Sequence, residues 1–398
     1  MAANWSELNH DLLVEIAKRI KLVDDFIAFG GVCKSWRSAA DLKNYMFKYN
    51  HMPQLLLAPS KESSCQREFY NISKGVSRQV CLPEANDKKI LSSKGWLLTI
   101  DRNWDISLLH PYKSVQIELP NIRSFEDWNN GISHNIMRAF FIEKFVLSTS
   151  PLEEEDYTVM VIYGRTRKLA YFKPRYKAWI TLRPTCSKVT MFSDIFYYNK
   201  KFYVVDLYGR IMVCDFSGEN RNPSVVAEMP SIDLYGGIIP NELVRGDVLE
   251  ELYLTVVSDE VLWVISRRGV YRRPIEPGSD VYIYGTYDFQ VFEVKLLSSS
   301  SSSSWTEIKD LENKSIFVGH NSTFFKASHI SGCKPNCIYF ADDFIESYFF
   351  RSIEGENPEG GGRDMGIYNI EDGSIIPHFK GKSVDFLSPP MWVELGFD

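Results

Sequence analysis

The sequence predicts a mainly β chain with an N-terminal α module: three short helices, then a degenerate five- or six-bladed β-propeller. Three observations lead there. The hydrophobic period is helical from Leu8 to about Asn44, and after Pro53 it changes to short aromatic and β-branched runs between turn signals. Those runs recur in groups of about four, at intervals of roughly forty to sixty residues, a period that marks propellers or solenoids. The chain, at 398 residues, is too long for one ordinary core. The period switch sets the division: a helical module over 1–48 and a propeller-like domain over 53–398.

In the first helix Leu12, Leu13, Ile16 and Ile20 recur at spacings of one, three and four, which puts them on one stripe of a helix capped near Asn9. Asp24 is placed to cap a second helix. Beyond it Phe26, Phe29, Cys33, Trp36 and Ala40 step by three and four. Gly30-Gly31 interrupts that run at a cost of roughly 2 kcal/mol relative to alanine, so a tight join is expected there. A module this small buries little apolar area and is expected to need a partner surface.

The body reads as strand groups. Gly95 to Ile100, Ile106 to Pro111 and Val115 to Pro120 form the first. Phe145 to Ser148, Thr158 to Tyr163, Lys168 to Phe172 and Ala178 to Leu182 form the second. Asp194 to Tyr198, Lys201 to Asp206 and Arg210 to Asp215 form the third, with turns at Asn199-Lys200 and Tyr208-Gly209. Glu251 to Val257, Val261 to Arg267, Phe289 to Leu296 and Ser304 to Ile308 form the fourth. Ser315 to Val318, Thr323 to Lys326, Cys337 to Ala341 and Met365 to Ile370 form the fifth. Leu55 to Leu57 and Glu68 to Ile72 begin or close another. A closed propeller explains how so many strands avoid sticky edges. The serine run Ser298 to Ser304, the glycine-rich Gly355 to Gly362 and the acidic Glu153 to Asp156 read as surface loops.

Forty-five basic against fifty-one acidic residues give a net charge of −6, which argues against nucleic acid as the default partner. No membrane-length apolar run and no secretory leader is visible, so the nucleus or cytoplasm is expected and no membrane partner. Seven scattered cysteines suit reduced thiols.

Catalytic signatures are missing: no Gly-x-Ser-x-Gly elbow, phosphate-binding glycine loop or His-Glu-x-x-His helix occurs. Cys333 and Cys337 lack a second pair for zinc, and no cofactor, metal or catalytic residue is assigned. Asp342-Asp343 are expected at a turn or strand end, and His110 and His320 in packing or surface roles. Trp104 and Trp128 are read as core aromatics rather than recognition anchors. Arg267-Arg268 and Arg272-Arg273 bracket Gly269-Val270-Tyr271 and suggest a hairpin tip able to hold an acidic or phosphorylated target. A solvated turn is the plainer alternative.

Trp5 to Leu8, Asp11 to Ile16 and Val32 to Ala39 resemble the F-box motif, with Asn9 where that motif carries proline. Farther on, Ser315 to Asn321, Gly332 to Asp343, Met365 to Ser374 and Pro389 to Val393 resemble a plant family of F-box proteins. Its second domain, long catalogued as of unknown function, is assigned a propeller fold. The resemblance implies a substrate-recruiting, non-catalytic subunit of an Skp–cullin–F-box ubiquitin ligase, bound to an Skp-type adaptor, through it to cullin, and to an unidentified target. It places Leu8, Leu12, Leu13, Ile16, Ile20, Val32, Cys33, Trp36 and Arg37 in the adaptor-facing or module-packing set. The alternatives are a propeller-fold hydrolase with carboxylates converging on its channel, or an F-box binding protein outside a ligase.

Overall fold

A computed structural model describes residues 5–20, 28–40, 52–59, 66–113, 115–128, 138–186, 188–218, 220–230, 247–272, 283–296, 303–328, 333–344 and 361–394. Asp24, Phe26, Arg273, most of the serine run and most of Gly355 to Gly362 lie outside these residues.

Helix α1 (His10–Ala17) begins where Asn9 Oδ1 accepts a hydrogen bond from Asp11 N at 2.9 Å, so asparagine caps the helix at the expected place. Residues 28–31 are helical, and α2 spans Lys34–Ala39. The glycine join lets these pieces close up: a Cβ on Gly30 would stand 3.2 Å from Ala40 Cβ. Leu13, Ala17, Phe29 and Ala39 form the small buried core of the module.

The rest is a six-bladed propeller. One blade holds β1 (Gln54–Leu56), β2 (Gln66–Asn71) and β3 (Val76–Cys81). The second holds β4 (Lys89–Ser93), β5 (Trp96–Ile100), β6 (Ile106–His110) and β7 (Val115–Leu119). The third has β8 (Ile142–Leu147), β9 (Val159–Tyr163), β10 (Lys168–Phe172) and β11 (Ile180–Leu182). The fourth has β12 (Phe192–Tyr198), β13 (Lys201–Asp206), β14 (Arg210–Asp215) and β15 (Ser224–Glu228). The fifth has β16 (Asp247–Ser258), β17 (Val261–Arg272), β18 (Ile283–Lys295) and β19 (Ser304–Ile308). The sixth, five-stranded, has β20 (Lys314–Val318), β21 (Phe324–Ala327), β22 (Cys337–Phe340), β23 (Gly366–Asn369) and β24 (Ile375–Ile376). The last strand, β25 (Met391–Val393), pairs with β1 in the register Gln54↔Val393, Leu55↔Trp392, Leu56↔Met391 and so completes the first blade. The ring closes by pairing its two ends, which removes the inner edges of a linear array.

Six apolar clusters fill the six interfaces between neighbouring blades. Strand alternation distributes side chains between them. Leu97 packs toward the first blade and Leu98 toward the third; Met160 and Ile162 face the fourth blade while Val161 faces the second. Strands covered on both faces read as continuous apolar runs, which is why the sequence shows runs instead of alternation.

Chain direction alternates within the regular blades, so the β4–β5 and β6–β7 turns share one face of the disc. The β5–β6 type of turn and the links between blades share the other. The helical module sits on the first face: Tyr112, in the β6–β7 turn, packs against its core and donates a hydrogen bond from its hydroxyl to Gln54 Oε1 at 3.0 Å.

Candidate interaction surfaces and the propeller centre

The helical module divides the predicted apolar set in two. Leu13 is buried inside, and Leu8, Ile20 and Trp36 pack against the same core. Trp36 is held between the Phe29 ring, 4.5 Å away, and a hydrogen bond from its Nε1 to Trp5 O at 3.0 Å. Leu12 is 57% exposed, Val32 60%, and Ile16 and Trp5 are also open to solvent. Leu12 and Ile16, four apart on α1, share one helix face. Cys33 precedes α2, its thiol 3.0 Å from Ser35 Oγ; that hydrogen bond, with backbone N–H groups of α2, holds the thiol below its usual range. Arg37 is exposed and donates from Nε to Gly30 O at 3.3 Å.

The arginine cluster is not a hairpin tip. Arg267, Arg268, Gly269 and Val270 lie inside β17, paired with β16 and β18 along its length, and Arg272 ends that strand. Gly269 is where the Phe344 ring crosses the strand, 2.8 Å from where a Cβ would be; the glycine marks close packing rather than a turn. Arg267 is sealed from solvent. Its Nη1 donates to Asp343 Oδ1 at 2.6 Å and Ala341 O at 2.9 Å, Nη2 to Asp364 Oδ2 at 2.8 Å, and Nε to Thr286 Oγ1 at 2.7 Å. Arg268 pairs with Asp288 across the neighbouring strand at 2.6 Å. Sequence reasoning read the four arginines around a glycine as a hairpin tip; the buried carboxylates that neutralise Arg267 lie more than seventy positions away.

Asp342 and Asp343 follow the end of β22, as expected, but both are buried. Asp342 Oδ2 accepts from Tyr284 Oη and from the N–H groups of Gly362 and Arg363, at 2.7 and 2.9 Å for the latter two. Burial pushes its carboxyl up to about 6, with Asp364 adding to the effect.

At the centre of the ring the innermost strands present polar and charged groups, and residues 319–323 of the sixth blade lie across them. Lys144 on β8 donates to the carbonyls of Gly319 and Asn321, and stands 3.7 Å from Asp194 and 3.9 Å from Asp343. Asp194 on β12 accepts from Thr323 Oγ1 and from Leu254 N at 2.9 Å. Ser322 N donates to Ser92 O on β4 at 2.8 Å. Glu251 receives both Nη groups of Arg167, at 3.1 and 2.8 Å, and Ser193 Oγ at 3.0 Å. The segment bonds to blades two, three and four at once and fills the channel. His320 is buried among Lys89, Lys144 and Arg267; burial, then those charges, hold its ring well below its usual range.

Trp104 is buried and meets Trp128 edge-on at 4.9 Å, as core aromatics. Cys333 and Cys337 are buried free thiols, and among the described residues no group of three or more His, Cys, Asp or Glu is placed to hold a metal.

A family model for the KIB1-4 beta-propeller matches residues 69–369, three quarters of the chain, and an F-box domain model matches residues 5–48. The chain belongs to the KIB1-4 beta-propeller family. It is an F-box protein of the plant type. Among relatives from Arabidopsis thaliana, F-box protein SKIP23 is 23% identical over 98% of this chain and 95% of its own length. F-box protein KIB2 is 24% identical over 93% of this chain and 78% of its own length. The KIB1-4 match thus runs from β2 to β23 of the sheets described above, and the F-box match spans the module whose apolar helix face is exposed.

Proposed function

We propose that this chain is the substrate-recruiting, non-catalytic subunit of an Skp–cullin–F-box ubiquitin ligase, acting in the nucleus or cytoplasm. The observation that carries the reading is the division of the F-box residues. Leu13, with Leu8, Ile20 and Trp36 beside it, holds the module together, while Leu12, Ile16, Val32 and Trp5 stand exposed beside it. An exposed apolar helix face with a nearby indole suits insertion into a groove of an Skp-type adaptor. Cys33 and Arg37 border that face. The closed propeller then acts as a rigid arm for a target protein, and catalysis is by proximity to ubiquitin activated elsewhere in the complex.

A hydrolase would need carboxylates free to act at the channel. Asp194, Glu251, Asp343 and Asp364 are each engaged by Lys144, Arg167 or Arg267, and residues 319–323 bond to Lys144 and Asp194. That arrangement supports the binding reading.

Affinity purification of the intact chain beside a Leu12→Asp/Ile16→Asp variant tests the proposal. Recovery of Skp-type adaptor and cullin with the intact chain, and their loss with a variant of unchanged thermal stability, is the expected result. Failure of the folded intact chain to recover adaptor overturns it.

A further inference from the structure

The chain passes from the F-box module into the first blade at Met52, Pro53 and Gln54, all buried, with Met52 in the cluster between the sixth and first blades. A module hung on its chain alone swings, since relative motion is the default for domains that share little surface. A second attachment at a different blade interface removes that freedom, and Tyr112 provides one. Its ring packs on the module core of Leu13, Ala17, Phe29 and Ala39. The same ring packs on the cluster between the first and second blades, 5.5 Å from the ring of Phe69. Its hydroxyl donates to Gln54 Oε1 at 3.0 Å, so the side chain also holds the strand that the link runs into. Gln54 is buried, and losing that donor carries a desolvation cost. A tyrosine has few side-chain torsions to fix, so it makes such a contact at low entropic cost.

The turn that carries Tyr112 is stiffened from below. His110, at the end of β6, is buried, and its Nδ1 accepts from Tyr112 N at 3.3 Å and from Lys113 N at 3.2 Å. The Trp96 ring meets that imidazole edge-on at 5.1 Å, and Trp96 Nε1 in turn donates to Ser150 Oγ at 3.1 Å in the β8–β9 turn. Pro111, between His110 and Tyr112, is buried and has its φ fixed by its own ring. The second and third blades together therefore set where the Tyr112 ring stands. Leu12 and Ile16 remain exposed, so contact with Tyr112 leaves the proposed adaptor face open.

We propose that Tyr112 is a positioning residue of this receptor: it fixes the angle at which the F-box module stands on the propeller. That angle sets the distance from a propeller-bound target to the ubiquitin delivered through the adaptor, and a fixed distance raises the effective concentration of the lysines within reach. The consequence for transfer rests on the substrate-receptor reading above, whereas the joint is a property of this chain alone.

The test uses the full chain with donor and acceptor dyes on noncanonical residues at Lys18 and Glu260, exposed positions on the module and on the β16–β17 turn of the same propeller face. Time-resolved energy transfer then gives the width of the distance distribution. Tyr112→Ala should broaden it at least ~twofold, and Tyr112→Phe, which keeps the ring, should restore most of the intact width. p-Benzoylphenylalanine at position 112, a change that keeps an aromatic ring there, should cross-link into the F-box module. In a ligase reconstituted with adaptor and cullin, the set of this chain's lysines that receive ubiquitin should widen in Tyr112→Ala and stay narrow in Tyr112→Phe. An unchanged width in Tyr112→Ala, or cross-links confined to the propeller, overturns the proposal. Adaptor captured while the width is unchanged in Tyr112→Ala overturns the joint alone; a narrow intact width without adaptor capture overturns the ligase reading and leaves the joint standing.

Discussion

Arg267 Nη1 and Asp343 Oδ1 lie 2.6 Å apart where the fifth blade meets the sixth, and neither side chain has appreciable contact with water. Burial opposes the arginine's charge, yet Tyr253, Asp364 and Asp343 around it raise its affinity for the proton above the usual value. Removing the guanidinium leaves the buried Asp364 without its cation and Asp343 with only Lys144, 3.9 Å away. Arg267→Ala is expected to cost about 3–5 kcal/mol, measured by denaturant unfolding. A loss under ~1 kcal/mol would show that the network is incidental to the join.

Lys89, on the innermost strand of the second blade, is fully buried. Burial lowers its ammonium to about 8, although Glu143, Asp385 and Asp343 favour the charge. A depressed lysine pKa means the folded state holds the proton less tightly than the unfolded state, so stability is lost as pH falls through about 8 and is fully present above the unfolded value near 10.5. Lys89→Met should therefore raise the melting temperature at pH 7, with the gain shrinking toward pH 10. A gain independent of pH would place the effect in packing instead.

Asp342 has the opposite sign. Its raised carboxyl, at about 6, favours the folded state below the unfolded value near 3.8, and that contribution fades as pH rises through about 6. Asp342→Asn preserves the acceptor for Tyr284 and the N–H groups of Gly362 and Arg363 through its amide oxygen. The variant should show a flatter stability profile between pH 4 and 7, read by thermal melts across that range, and an unchanged slope there would refute the assignment.

Trp392 closes the ring. It is fully buried, opposite Leu55 in the pairing of the last strand with the first, and its ring meets Phe317 at 5.2 Å and His378 at 5.0 Å. Trp392→Ala should cost about 3–5 kcal/mol and loosen the first blade. Hydrogen exchange would show deprotection of β1 and β2 before the third and fourth blades; uniform protection would argue that closure does not depend on this residue.

Leu12 and Leu13 are neighbours with different fates. Leu13→Ala should destabilise the module by about 2–4 kcal/mol, whereas Leu12→Ala should change stability by no more than ~0.5 kcal/mol while weakening adaptor capture. Circular dichroism melts beside a quantitative pull-down separate the two; equal behaviour of the variants would dissolve the distinction between packing and docking residues.

The helix cap at Asn9, the break at Gly30-Gly31 and the strands of the middle blades were legible because they depend on local signals: a side-chain oxygen near an N–H, a missing Cβ, a run of β-branched residues between turns. β3 and β15, with mixed polar residues at the outer edge of their blades, carried too weak a pattern, as did β4, with Lys89 and two serines on an innermost strand. β25 is three residues long and gains its identity only by pairing with β1 more than three hundred positions earlier. Sequence alone thus determined the class of the chain, its helical head and the repeating sheets, since propensity and periodicity act over a few residues. The tertiary structure decided the blade count, the closing strand, the filling of the channel by residues 319–323 and the burial of Arg267. Each of these depends on long-range neighbours, and whether a charge is solvated or neutralised inside a core is set by the residues the fold brings to it.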